Sequence, residues 1–437
     1  MAAAGSGATP GRRAALDVLR RVRGGQLLDL AWGAVAPALD PRERAWTHEL
    51  LYGTLRLRNR LDHRLAAFVR SGLPALEPDV LDVLRLGAYQ LAEMDAVPAY
   101  AAVSQSVELA KSAGVRRAAG LVNGVLQALR RRGGEVDFPT WESDPAGYLS
   151  TWGSHPRWLV ERWVEKWGTE VARAVVESDN RRPEVYLNPL GVPPDLAASR
   201  LAEAGIGATA IEDPTDSVRL ERAGQVGEAL AALPSVVQDP AAAAVATFAA
   251  AAPGERVVDL CAAPGGKALA MAAAGGSVVA ADLSASRLGR VVENVARVGW
   301  SGRVFPLAAD ALSPPFRAVD LVLLDAPCTG TGTLRRHPDG RWRLEPADAE
   351  ALAGLQRSLL DAAAPIVRPG GRLVYATCSL EPEENEVQVA RFLADHPEFE
   401  LDPCFGCAAA AETGVLRLLP PDTGADGAFA ARLRRCG

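Results

Sequence analysis

Apolar residues open the chain at helical spacing. Ala14, Leu16, Val18, Leu19 and Val22 form a first stripe, and segments around 42–58, 60–70, 78–94, 101–113 and 116–131 keep the i, i+3, i+4 rhythm with short Gly or Pro breaks. Nothing over 11–133 alternates as strands do, so the spacing predicts a helical bundle, closed at Gly133-Gly134. Between 140 and 180 lies a Trp-rich helical stretch holding Trp152, Trp158, Trp163 and Trp167. The last three stand five and four apart, which reads as a packing stripe and not a base-stacking platform. Residues 183–235 predict a small α+β connector: a strand at Val185–Leu187, a helix at Pro194–Ala204 and a strand at Ala208–Ile211. After Gln238-Asp239-Pro240 short apolar runs (Arg256–Leu260, Val278–Ala281, Val304–Leu307, Leu321–Leu324, Arg372–Ala376) alternate with helices near 267–274, 284–298, 347–367 and 383–395. Short buried strands between helices predict a doubly wound parallel sheet. The expected division is 1–135 (helical), 136–237 (connector) and 238–437 (α/β).

Charge sharpens that division. The 437 residues carry a net −6, but residues 1–133 hold 19 Lys+Arg against 12 Asp+Glu, or +7, leaving 28 against 41, or −13, for the rest. A basic front end on an acidic body suggests a polyanion-binding module, with a solvated basic helical face as the plainer alternative. Arginines gather at Arg12, Arg13, Arg20, Arg21, Arg23 and at Arg130–Arg132, whereas the only lysines are Lys111, Lys166 and Lys267. No apolar leader follows the opening residues, and the longest uncharged apolar run, Ala241–Pro253, is too short to span a bilayer. Six scattered cysteines and a lone Cys404-Phe405-Gly406-Cys407 pair, with five dispersed histidines, predict a reduced, cytoplasmic protein, off the membrane and without a metal. A monomer is the default expectation.

In a doubly wound sheet the ligand sits beyond the C-terminal strand ends, so the residue closing each strand is the informative one. The first strand runs through Asp259-Leu260 into Cys261-Ala262-Ala263-Pro264-Gly265-Gly266-Lys267 and a helix. The glycines permit a tight turn against a ligand, but the spacing matches neither the dinucleotide nor the Walker pattern, which disfavours NAD and ATP. The second strand ends at Asp282, placed to accept ribose hydroxyls, and the third at Asp310, placed to reach an adenine amino group. Either acid could instead cap a helix. The fourth strand ends in Asp325-Ala326-Pro327-Cys328-Thr329-Gly330-Thr331-Gly332 and the fifth in Thr377-Cys378-Ser379, followed by Leu380-Glu381-Pro382-Glu383-Glu384-Asn385-Glu386. Two thiols thus stand on neighbouring loops of the ligand edge. A lone buried cysteine is usually a small hydrophobe, and two on cleft loops flanked by Pro, Thr, Ser and Gly argue for chemistry.

CAAPGGK, DAPCTGTG and TCSLEPEENE, in this order on these strands, with the closing Asp426-Gly427-Ala428-Phe429 and Arg432–Arg435, resemble the Sun-type (NOL1/NOP2/Sun) RNA cytosine-C5 methyltransferases over about residues 236–437. The helical front end resembles the NusB-like RNA-binding domain, a combination that points to the branch acting on bacterial 16S ribosomal RNA, free or in an assembling small subunit. The resemblance implies a Rossmann-like domain binding S-adenosylmethionine, framed by Cys261, Ala262, Ala263, Pro264, Gly265, Gly266 and Lys267 with Asp282, Asp310 and Asp325. It also implies Cys378 as the nucleophile that adds to cytosine C6, Cys328 as the group assisting release, Asp325 on the N3/N4 edge of the base, and Lys267 orienting the base or Asp325. Two departures stand out. Tyr186 occupies a position where the family often has arginine, leaving one RNA contact in doubt, and 241–251 is alanine-rich where relatives carry Ser and Gln. The rivals are a Sun-type enzyme acting on tRNA or another rRNA site, and a non-catalytic RNA-binding assembly or antitermination factor. A DNA cytosine methyltransferase would leave Thr377-Cys378-Ser379 unexplained, and an amino-group methyltransferase would carry a different loop after Asp325.

Overall fold

The computed structural model describes residues 7–132, 135–403 and 413–437; Gly133-Gly134 and the Cys404/Cys407 pair lie outside them. Two compact units form, one of residues up to Arg181 together with Leu334–Arg343, the other of Arg182–Thr333 and Leu344–Gly437. No helix among the described residues is long and apolar enough to cross a membrane.

The first unit is helical, as the periodicity predicts. Its helices include Pro10–Arg23, Pro41–Arg56, Arg58–Ala66, Pro78–Glu93, Ala99–Ser112 and Ala119–Arg132. Proline opens three of them, where a missing N–H costs nothing, and Asp40 caps the second by accepting from the Glu43 N–H at 2.9 Å. The apolar stripes meet in one core around Leu16, Leu50, Leu61, Leu84 and Leu126. Trp163 is buried in the helix Arg157–Trp167, in keeping with a packing stripe.

The arginines of this unit are less free than their number suggests. Arg12 is buried, hydrogen-bonded to Gln90 at 2.8 Å and stacked on Trp46, and burial lowers its pKa to about 10. Arg20 and Arg23 are held by Asp79 at 2.6 Å each. Much of the front-end charge is therefore matched inside the bundle. The sequence also gave no sign that Leu334–Arg343 folds here. Arg341 has no exposed surface and donates to Arg56 O at 2.9 Å, Asp179 O at 2.8 Å and Asn180 Oδ1 at 2.8 Å, while Trp342 Nε1 donates to Leu55 O at 2.7 Å.

The second unit holds two sheets. A four-stranded antiparallel sheet in the order β2-β3-β1-β4 is built from β1 (Val185–Asn188), β2 (Ala208–Ile211), β3 (Ser217–Leu220) and β4 (Val236–Val237). The connector is thus α+β as expected, with two further strands, β3 and β4, that the pattern did not reveal. Tyr186 is buried in β1 with its hydroxyl donated to Glu184 at 2.6 Å, so it serves as a core residue.

The larger sheet comprises β5 (Arg256–Asp259), β6 (Ser277–Asp282), β7 (Val304–Ala308), β8 (Val319–Asp325), β9 (Val367–Thr377), β10 (Phe399–Leu401), β11 (Val415–Leu418) and β12 (Ala428–Arg435). The order is β10-β12-β9-β8-β5-β6-β7, with β11 on β12. Strands β5 to β9 are parallel, but β10, β11 and β12 are antiparallel, so the sheet is mixed and not the all-parallel one predicted. β12 (AFAARLRR) lacks β-branched residues. It becomes a strand because six of its eight residues pair with β9, from Phe429↔Thr377 to Arg434↔Arg372. The helix predicted to reach 367 stops at Ala363, before Pro365, and β9 starts at Val367. Helices Pro240–Phe248, Gly266–Ala273 and Ala285–Val298 contribute to one core, and Asp348–Ala363 and Glu386–Asp395 to a second. The alanines after Pro240 let their helix lie close on its neighbours: Ala241, Ala243, Ala244 and Ala246 are all buried.

Candidate active site

Strand order reverses at β5: β6 and β7 extend one way and β8 and β9 the other. That switch opens a crevice at the C-terminal strand ends, where every residue singled out above is found. β5 delivers the loop Cys261–Lys267. Gly265 has φ of +100° at the start of the helix Gly266–Ala273, which favours glycine, and a Cβ there would also press on Val291 at 3.1 Å. Lys267 follows and reaches across to β8, where its Nζ meets Asp325 Oδ2 at 2.7 Å. Burial opposes the lysine's charge, but Asp325 and Asp259 together raise its pKa. Cys261 is pushed up to about 12, chiefly by burial, so it stays a thiol.

Asp282, at the end of β6, is buried. Its Oδ2 accepts from Ala263 N at 3.2 Å, and its Oδ1 from Ser284 N at 2.9 Å and Arg287 Nη2 at 2.8 Å. It holds the glycine-rich loop and the next helix together, while Ser284 takes the cap position itself. Asp310, past β7, is exposed, and among the described residues its carboxylate accepts one hydrogen bond, from the Leu312 N–H at 2.9 Å.

The two thiols meet. Cys328 Sγ and Cys378 Sγ lie 3.4 Å apart, each partly exposed. The Cys328 pKa is raised well above the usual thiol value, first by its hydrogen bond with Cys378, then by burial. Their loops are locked to each other. Gly332 N donates to Cys378 O at 2.9 Å, Gly427 N to Gly332 O at 2.7 Å, and a Cβ on Gly332 would fall 2.8 Å from both Cys378 O and Gly427 Cα. Only glycine allows three backbones to come this close.

Glu384, which has no exposed surface, fastens this arrangement. It accepts from Thr329 N at 2.9 Å, Thr329 Oγ1 at 2.5 Å, Ser379 Oγ, and Gln356 Nε2 at 2.9 Å, and Gln356 Nε2 also donates to Pro327 O at 3.0 Å. Asn385 adds a bond to Ser379 O at 2.8 Å. The predicted helix 383–395 starts only at Glu386 because the preceding residues fold back onto the thiol loops. Sequence reasoning missed Glu384: it is one of four acids in Glu381–Glu386, of which Glu381 is buried too, and nothing in the string marks which of them ties the thiol loops together.

Asp259 was visible as a strand end but drew no role. It is 1% exposed, and neither carboxylate oxygen has a well-formed hydrogen bond, the Cys261 amide offering only a weak contact. Burial, then the charge of Asp325, pushes its pKa to about 8. A buried carboxylate left this way beside a glycine-rich loop fits a ligand that brings its own cation. S-adenosylmethionine, with an ammonium and a sulfonium, meets that description, and the exposed Asp310 remains open to a further donor. The residues present therefore fit the cofactor.

Comparison with known proteins agrees. Residues 246–434 match the family described as 16S rRNA methyltransferase RsmB/F, residues 9–131 the NusB family, and residues 155–227 the RsmF/B-like ferredoxin-like domain. The ribosomal RNA small subunit methyltransferase B of Pseudomonas putida is 37% identical over 97% of this chain and 98% of its own, and that of Erwinia tasmaniensis 34% identical over 96% and 97%. The crystal structure of PH0851 superposes with a TM-score of 0.79 at 27% identity, covering 98% of both chains. With a NusB-type helical domain, a ferredoxin-like connector and this methyltransferase domain in one chain, the protein belongs to the RsmB/F family of S-adenosylmethionine-dependent ribosomal RNA methyltransferases.

Proposed function

We propose that this protein methylates C5 of a cytosine in small-subunit ribosomal RNA through a covalent adduct between Cys378 and C6 of the base. The observation that carries the reading is the pair of thiols 3.4 Å apart, on strand ends next to the Lys267–Asp325 pair. C5 of cytosine is a poor nucleophile, and addition of a thiolate at C6 moves electron density onto it. The raised pKa of Cys328 keeps its proton on, beside the sulfur of Cys378 that makes the attack. Asp325 meets the N3/N4 edge of the base and stabilises the proton that N3 gains when the adduct forms. Lys267 fixes the Asp325 carboxylate from its far side as a compact point charge. Once C5 carries its methyl group, the C5 proton departs to a base, the bond to Cys378 Sγ breaks, and Cys328, beside that sulfur, assists the release.

S-adenosylmethionine, when bound, supplies the electrophilic methyl group. Cys261 to Gly266 and Asp310 line its place, Asp259 receives its ammonium, and Asp282 holds the loop in shape. The target base must leave its stack to reach the thiols, so an unpaired or extruded cytosine is the expected substrate.

Denaturing gels of wild type, Cys328→Ala and Cys378→Ala, each incubated with the cofactor and a 16S rRNA transcript, test the reading. Cys328→Ala is expected to accumulate a slow-migrating protein–RNA adduct and Cys378→Ala to form none. The opposite pattern would exchange the two roles, and an adduct in neither would remove the covalent mechanism.

A further inference from the structure

A cavity of about 360 Å³ opens in the helical unit, and four guanidinium groups line it: Arg23, Arg58, Arg85 and Arg343. Three are matched. Arg23 binds Asp79 and Asp82, Arg85 binds Asp62 through both nitrogens at 2.7 Å and Asp82 at 3.2 Å, and Arg343 binds Asp339 at 2.9 Å. Asp82 and Asp339, the two carboxylates in the lining, are thereby neutralised by their own partners. Arg58 differs. It has no ion pair and no hydrogen-bond acceptor among the described residues, and its guanidinium lies 5.2 Å from the centre of the Trp342 ring. Trp342 is itself pinned by its bond to Leu55 O. Burial first, and then the charge of Arg85, lower the Arg58 pKa, against the weaker opposing pull of Asp62 and Asp82.

An arginine held this way keeps its fork of donors without an acceptor among the described residues, in a place where burial disfavours its charge. Stacking on an aromatic face fixes the plane of the fork, and a planar fork is suited to bidentate capture of a phosphate. The cavity has room for a phosphate with its sugar. We propose that it is a docking site for one backbone phosphate of the RNA substrate, gripped by Arg58, outside the catalytic crevice. This rests on the RNA-modifying reading above. The phosphate neutralises the one unmatched cation, so the site contributes affinity and register without reading a base.

The test uses the full chain and a labelled single-stranded RNA, with binding followed by fluorescence anisotropy across a salt series. Wild type, Arg58→Gln and Arg58→Lys are compared after thermal melts have shown which variants fold. Arg58→Gln is expected to weaken binding several-fold at moderate salt and to reduce the slope of log K against log salt by about 0.7, the value of one lost single-strand phosphate contact. Arg58→Lys is expected to keep the slope but bind more weakly, since it retains the charge and loses the fork. If Arg58→Gln does not fold, the lysine variant alone decides: full wild-type affinity there would overturn the role of the fork. A folded Arg58→Gln with the wild-type slope overturns the proposal. So does calorimetric binding of inorganic phosphate that is lost in Arg58→Gln while the RNA slope stays put, because the site would then serve a free anion. Methyl transfer by wild type to the 16S transcript is measured in parallel. Failure there would strike the catalytic reading, whereas the salt slope reports on the cavity alone.

Discussion

The thiol side and the cofactor side of one sheet edge each contain a buried carboxylate, and the two are provided for in opposite ways. Glu384 sits beneath the Cys328 and Cys378 loops with four donors from Thr329, Ser379 and Gln356 converging on it. Asp259, at the end of β5, is equally buried and nearly bare. A satisfied buried charge is part of the frame, since removing it strands its donors. A bare one is kept largely protonated by the fold around it, and a ligand of opposite charge is what lets it ionise. The first therefore positions residues, and the second binds. The same contrast separates Arg85 from Arg58 in the helical unit.

The comparison breaks most visibly if the thiol pair itself is not the reacting centre. Cys378→Ala should lower methyl transfer by more than about 10³-fold, as loss of a nucleophile does elsewhere, while leaving cofactor binding by calorimetry unchanged. Residual activity within tenfold of wild type would remove Cys378 from the chemistry.

A smaller but still large effect is expected at the frame. Glu384→Gln replaces two acceptor oxygens with one and turns an amide donor toward Thr329 or Ser379. The structure should lose about 1–3 kcal/mol of stability in denaturant titrations. Turnover should fall about 10–100-fold with KM nearly unchanged, because both thiol loops are displaced together. A variant that is destabilised but turns over normally would reduce Glu384 to a core residue.

On the cofactor side, Asp259→Asn should weaken S-adenosylmethionine binding about tenfold, the loss of one charge-assisted hydrogen bond. It also carries a pH signature. The folded pKa of Asp259 is raised to about 8, above its unfolded value near 4. The free protein therefore loses stability as pH rises from about 4 to 8, since unfolding lets the group ionise, and Asp259→Asn should flatten that decline. An ammonium favours the ionised carboxylate, so at pH 7 cofactor binding should release a proton in wild type and not in Asp259→Asn. Calorimetry in buffers of different ionisation enthalpy reads this directly, and identical proton release in both would place the ammonium elsewhere.

The smallest effect belongs to Asp310. Exposed and carrying one backbone bond, it should contribute a single hydrogen bond to the ligand, so Asp310→Ala should weaken cofactor binding about threefold. A loss as large as that of Asp259→Asn would mean that exposure is a poor guide to weight at this edge.

Local order was legible in the residues. Apolar spacing yields the helices of the front unit, and short apolar runs yield β5 to β8 and the residues that close them, because period and turn chemistry are properties of neighbouring residues. The motif-bearing loops, and with them Lys267, Asp325, Cys328 and Cys378, follow from reading strand ends. What the sequence left open depends on contacts between distant segments. β12 is a strand because β9 is there to pair with it, and Leu334–Arg343 joins the helical unit because Arg341 finds its acceptors there. Which acid of Glu381–Glu386 ties the thiol loops together is decided by Thr329 and Gln356, 28 to 55 residues away. Charge is the extreme case. The +7 of residues 1–133 is a sum over residues. Whether a given arginine is matched by a carboxylate or left, like Arg58, with its donors open is settled only where side chains from several helices converge, because an ion pair is a relation between places and not a property of either residue.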